Sequence, residues 1–216
     1  MLRYKPMNMI LTAFLLVVGS ALSGVAHADI AKFEDSIKPA VVGKANAPVT
    51  IIEFASLGCP HCARFHHDTY PKLKKEYIDT GKAKLIFTDF PLGTPALAAS
   101  MIARCAGPER YFGFIDMFFR AQQQWSRANN PLEALKKVAR FGGFSGEDVD
   151  ACFKQQALID HIQKMARKAT EDHQINSTPS FLVNGKKICD VFKQVALVLF
   201  DAQGITSLSI HNRLGD

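Results

Sequence analysis

The sequence predicts an α/β fold in which a β-α-β unit and a closing β-β-α unit flank a block of helices. Three observations carry that expectation. Two short apolar runs, Val49 to Phe54 and Ala83 to Thr88, stand on either side of a stretch with helical spacing. Residues 94–170 then read as helix almost throughout. After them Ser180 to Val183, an Asn184-Gly185 turn and Lys186 to Cys189 return to sheet as a hairpin.

At 216 residues, 48% hydrophobic and 21% charged, the chain is long enough to bury a core and too apolar to be disordered. Residues 1–28 read as a secretory signal peptide. Arg3 and Lys5 precede an apolar run from Met9 to Leu22, and Ala26-His27-Ala28 offers a small-x-small cleavage site after Ala28. The alternative is a retained membrane anchor, but a spanning helix needs about 20 apolar residues. The strong part of this run stops at Val18. No cysteine stands at the expected mature start, so no lipid anchor is expected. Removing 1–28 takes away Arg3 and Lys5 and no acid, which lowers the formal charge from +6 to +4. With no long Lys/Arg run, nucleic acid is not an expected partner. Export also implies an oxidising compartment, where cysteine pairs persist as disulfides.

From Asp29 to Pro48 the chain reads as a lead-in, followed by the first strand, which its nearly continuous apolar run would bury on both faces. Gly58 ends that strand, and Pro60 falls where a helix would begin. The helix should run to about Thr80 with a kink near Pro71, where a backbone donor is missing. In the middle block Thr94-Pro95 reads as a cap and a first-position proline. A second helix is expected over Tyr111 to Gln122, and a third from Asn130-Pro131 with Glu133 set for capping. Ser145 should cap a fourth, and Gln155 to Thr170 should form a fifth. A last helix is expected over Val191 to Ala202.

The chemistry concentrates in Cys59-Pro60-His61-Cys62. Two cysteines at this spacing on a helix start can close a small disulfide ring. The free N–H groups and partial positive charge of that end stabilise a thiolate on Cys59. Cys59 is then the exposed attacking sulfur, Cys62 the resolving thiol facing the sheet, and His61 a further donor or positive charge. The same pair also fits half a zinc site, with His66 as a third ligand. His66 and His67 otherwise read as solvated surface, and Gln122-Gln123-Gln124 with Trp125 as a helix end. Phe112, Phe114, Phe118 and Phe119 read as core of the helical block.

Three segments together resemble the DsbA-like thiol-disulfide oxidoreductases of the thioredoxin superfamily. They are Glu53 to Cys62 ending in the cysteine tetrad, Asp89-Phe90-Pro91-Leu92, and Thr178 to Gly185. The resemblance covers nearly all of the expected mature chain. It implies a thioredoxin fold with an inserted helical domain, divided as 29–93, 94–170 and 171–203 with a tail at 204–216. It further implies that Pro179 is a cis-proline facing the disulfide, and that Thr178 offers backbone groups to substrate. Read alone, Thr178-Pro179 could be an ordinary strand start. Glu53 matches the family's buried acid, which handles the proton of Cys62, although alone it could be a satisfied polar residue on a strand.

Proteobacterial α-type members carry a second disulfide in the helical domain, and the contexts of Cys105 and Cys152 look like theirs. Two buried free thiols are the other reading of that pair. Cys189 is left as a free thiol without an assigned role. The function implied is a monomeric periplasmic disulfide oxidase acting on reduced exported polypeptides. It would be reoxidised by a quinone-linked membrane partner of the DsbB type and need no metal or organic cofactor. The rivals are an isomerase or reductase of the same fold, and a metal-binding or delivery module using Cys59, Cys62 and His66.

Overall fold

The computed structural model describes residues 30–188. The expected signal peptide, Cys189, the last helix over 191–202 and the tail at 204–216 lie outside them. The centre is a five-stranded sheet in the order β1-β3-β2-β4-β5. The strands are β1 (Ala40–Val42), β2 (Val49–Ala55), β3 (Ala83–Asp89), β4 (Ser180–Val183) and β5 (Lys186–Ile188). β2 and β3 run parallel, and the three other pairings are antiparallel. This is the α/β thioredoxin fold with helices set between β3 and β4.

Two details of the sheet depart from expectation. The lead-in contains a short helix, α1 (Phe33–Ser36), and the edge strand β1, which pairs with β3 from Ala40↔Phe87 to Val42↔Leu85. Three residues carry no readable period, so such a strand exists only through its partner. β2 is also less symmetric than a doubly buried strand. Ile51 and Glu53 are fully buried, while Thr50 and Ile52 on the other face are half-buried. The register sets Glu53 between Phe87 of β3 and Phe181 of β4.

The segment after the tetrad is helical as expected, but it does not simply kink. It alternates α2 (Pro60–Arg64), a π-helical turn over Phe65–Thr69, α3 (Tyr70–Leu73) and a second π turn over Lys74–Ile78. In a regular helix the Pro71 ring would clash with the carbonyl four residues back and leave it unbonded. The wider turn just before it takes up that mismatch, with Tyr70 N–H reaching back to Phe65 O.

The helices between the sheet halves are α4 (Thr94–Cys105), α5 (Pro108–Arg120), α6 (Gln122–Ser126), α7 (Pro131–Phe141), α8 (Gly146–Phe153) and α9 (Gln156–His173). Thr94 is not the cap of α4. Gly93 holds that place at φ +88, a conformation open to glycine, and Thr94 is the first helical residue. Asn130 caps α7 by accepting from Glu133 N–H at 3.2 Å. Ser145 and Asp148 form a complete capping box at α8, with bonds of 3.1 and 2.7 Å. Ser145→Ala should lower stability by about 1 kcal/mol in urea unfolding and leave redox chemistry unchanged.

Cys105 of α4 and Cys152 of α8 are joined by a disulfide with their Cα atoms 6.2 Å apart. Phe114, Phe118 and Phe119 are buried in the core that α5 shares with the sheet. The block is tied to the end of β3 by a buried cluster. Arg104 Nε donates to Asp89 at 2.7 Å, and Tyr111 OH donates to the same carboxylate at 3.1 Å. Among the described residues no helix is long and apolar enough to cross a membrane.

Candidate active site

Cys59 is the N-cap residue of α2, extended at φ −85 and ψ 120, with Pro60 at the first helical position. Its carbonyl accepts from Ala63 N–H at 3.1 Å, which starts the helix, and its own N–H reaches back to Ser56 O at 3.0 Å. The Ser56 hydroxyl accepts from Gly58 N–H and Leu92 N–H, so the strand end and the Phe90-Pro91-Leu92 segment brace the loop. Cys62 is fully buried, and Cys59 shows only 6% of its surface, less than the exposed sulfur its position suggested. Pro60 and His61 stand exposed beside it. Both cysteines are free thiols here.

The two thiols are driven in opposite directions. Cys59 is lowered to about 5, first because the Cys62 thiol donates to its sulfur, and burial opposes this. The Thr178 side chain and the backbone N–H groups of Cys62 and His61 add to the lowering. His61 thus contributes its backbone N–H, where an imidazole donor or charge was expected. Cys62 is pushed far up by burial, with the bond to Cys59 and the negative charge of Glu53 acting the same way. A helix start therefore holds one thiolate at neutral pH and one thiol behind it.

Thr178 and Pro179 come from the turn before β4, and the bond between them is cis. The Cys59 thiol donates to Thr178 O at 3.2 Å across 119 residues of chain. A thiolate can only accept, so ionisation breaks that bond. The Thr178 hydroxyl, buried and with no hydrogen-bond partner among the described residues, is then the group that can turn toward sulfur.

Two residues that sequence reasoning set aside belong to this site. Gln122, expected as part of a helix end, is buried, and its Nε2 donates to Leu57 O at 2.6 Å and Cys59 O at 3.0 Å. His66, expected at the surface, is buried, and its Nε2 lies 3.2 and 3.1 Å from the two oxygens of Glu53. Only His67 faces solvent. Phe65, Tyr70 and Phe119 all contact the His66 ring, and of these only Phe65 and Tyr70 are its neighbours in the sequence. With His66 turned to Glu53, no third ligand joins the two cysteines among the described residues. Among the described residues no three metal-binding side chains converge.

A family profile described as thioredoxin matches residues 35–197. A Rickettsia bellii protein named "Putative protein-disulfide oxidoreductase" is 32% identical over 146 residues, covering 67% of this chain and 56% of that one. The chain spans about half the length of the curated relatives of this kind. "Probable disulfide bond formation protein D" of Bacillus cereus is 46% identical over 155 residues, covering 67% and 69% respectively. The crystal structure of Wolbachia pipientis alpha-DsbA1 superposes with a TM-score of 0.71 at 29% identity, over 80% of this chain and 94% of that one. By fold, tetrad and relatives alike, the chain belongs to the thioredoxin family, among its DsbA-like proteins.

Proposed function

We propose that this chain is a protein-disulfide oxidoreductase that passes a Cys59–Cys62 disulfide to reduced polypeptides. The observation that carries the reading is the placing of Cys59 at the first turn of α2, 3.2 Å from the carbonyl of Thr178 before a cis-proline, with Cys62 buried behind it. A substrate thiolate attacks Sγ of Cys59, forming a mixed disulfide, and the Cys59–Cys62 bond breaks with its electron pair going to Cys62. Cys62 takes a proton. The substrate's second thiolate then attacks its own sulfur in the mixed disulfide and displaces Cys59, which leaves as the stabilised thiolate.

An extended substrate segment would lie along the Thr178-Pro179 turn by strand addition, leaving side-chain identity largely unread. Glu53 supplies and recovers the proton of Cys62. The reaction takes place in the periplasm, where residues 1–28 would send the chain. A membrane partner of the DsbB type restores the disulfide, and neither metal nor organic cofactor takes part. The chain acts as a monomer, and the units 29–93, 94–170 and 171–203 serve as one redox body.

Equilibration with glutathione tests the direction. A thiolate stabilised on Cys59 favours the reduced pair, so the potential should be clearly more oxidising than that of thioredoxin, about −270 mV. A value near that one rejects the oxidase. The pH dependence is a second mark. Above pH about 5 only Cys62 takes up a proton on reduction, so the potential should fall by about 30 mV per pH unit. Below it both thiols are protonated, and the slope should steepen to about 60 mV. Refolding of a scrambled substrate separates the isomerase, which would act without net oxidation.

A further inference from the structure

Glu53 is fully buried in the middle strand of the sheet, a costly place for a carboxylate unless donors face it. Facing it is His66 Nε2, 3.2 and 3.1 Å from the two oxygens, which donates to the carboxylate in the tautomer that carries the hydrogen on Nε2. The histidine side chain is itself only 5% exposed. Its ring is stacked on Phe119 at 4.4 Å and 29°, lies 5.0 Å from Tyr70, and meets Phe87 edge-on at 5.8 Å. These rings come from α5, α3 and β3, so three elements fix the direction in which Nε2 points. A leucine or phenylalanine would fill the same space without the cost of burying two polar groups. The pair therefore invites a reading in terms of what Glu53 does.

We infer that His66 is the positioning residue of the proton step, orienting Glu53 so that its carboxylate can take the proton of Cys62. The inference rests on the disulfide-exchange reading above and adds a residue to it. The titratable groups near the carboxylate are His66, Cys62 on α2, Tyr70 on α3 and Tyr111 on α5. Tyr70 is pushed up to about 12 by burial and the Glu53 charge, and Tyr111 well above its ordinary value, so neither changes charge near neutrality. In the resolving step Cys62 gives its proton to Glu53, its sulfur attacks Cys59, and the thiolate bound there leaves with the bonding electrons. In the reverse step the same proton returns to Cys62. His66 keeps its own Nε2 hydrogen throughout and touches no reacting sulfur.

The test uses the full chain with glutathione attached to Cys59, following glutathione release as a function of pH. Release requires the carboxylate form of Glu53, so its rate should rise through a midpoint set by that group. His66→Phe keeps the stacking and removes the donor. Release at pH 7 should slow at least tenfold, and the midpoint should move up by a unit or more, because an unpaired buried carboxylate holds its proton. His66→Gln restores an N–H and should bring the midpoint back toward the wild type. Alkylation of Cys59 with iodoacetamide should keep its midpoint in both variants.

An equal loss of rate at every pH, with the midpoint in place, would mean that His66 only fills space, and overturns the inference. Should His66→Phe not fold, Glu53→Gln removes the charge that faces His66 Nε2. The ring nitrogen resonances of His66 should then shift, and unchanged resonances overturn it equally. A wild-type chain that fails to expel glutathione at all defeats the exchange reading beneath, a result distinct from either of these.

Discussion

Cys62→Ser should abolish turnover in oxidative refolding while leaving the chain able to bind thiols covalently. Without a resolving sulfur, a mixed disulfide at Cys59 has no internal way out, so glutathione or substrate should remain attached until reductant is added. Mass spectrometry of the glutathione-treated variant reads this directly. The same position tests how the thiolate is stabilised. The largest influence lowering Cys59 to about 5 is the thiol of Cys62 donating to it. Serine keeps a donor there and should leave the alkylation midpoint of Cys59 close to that of the parent. Cys62→Ala removes the donor, and the midpoint should climb by at least a unit. Equal midpoints for the two variants would assign the lowering to the helix start and Thr178 instead.

The same depressed pKa fixes how the reduced chain responds to pH. Cys59 is lowered from 9.0 to about 5, so stability rises with pH wherever the native chain holds the thiolate while the unfolded thiol still holds its proton. That contribution is fully present above the unfolded value and is lost as pH falls through about 5. The reduced chain should therefore gain stability relative to the disulfide form between those two pH values, as thermal scans of both forms would show.

Removing the disulfide of the helical block should have the second-largest effect, on stability rather than chemistry. Cys105 and Cys152 are 47 residues apart, and their bridge ties α4 to α8. A bridge across a loop of that length contributes roughly 4 kcal/mol by restricting the unfolded chain. The double variant Cys105→Ala with Cys152→Ala should unfold at correspondingly lower urea concentration. Its potential should match the parent, since neither sulfur touches Cys59, Cys62 or Thr178. A changed potential would show that the helical block shapes the reactive loop more strongly than its contacts suggest.

How far the sequence disclosed this structure depended on the range of the forces involved. β2, β3 and the Asn184-Gly185 hairpin follow local rules. Asn184 and Gly185 adopt φ of +48 and +80, values that this pair is suited to. Ser145 and Asn130 announce their helices for the same reason, because a cap is satisfied within three residues. Gly93 displaced Thr94 as a cap because backbone direction into α4 mattered more than a side-chain oxygen. β1 could not be read, since three residues become a strand only against Phe87, Ile86 and Leu85. His66 and Gln122 were misplaced for a related reason. Each is polar in a helical stretch, and its partner stands 13 or 63 to 65 residues earlier in the chain. Only packing of the helical segments against the sheet decides whether such a residue meets water or a buried acceptor.

The hydrogen bonds of Gln122 have a consequence for the order in which this chain becomes reactive. Cys59 is synthesised early, but the groups that hold its loop and face its sulfur arrive 63 and 119 residues later. Until they do, it is an ordinary cysteine with a pKa near ~8.5, almost wholly protonated at neutral pH. A nascent or unfolded copy thus lacks the low-pKa thiolate, and with it the good leaving group that the folded site supplies. What sets Cys59 apart from an ordinary cysteine is therefore a product of the completed fold and not of the tetrad alone.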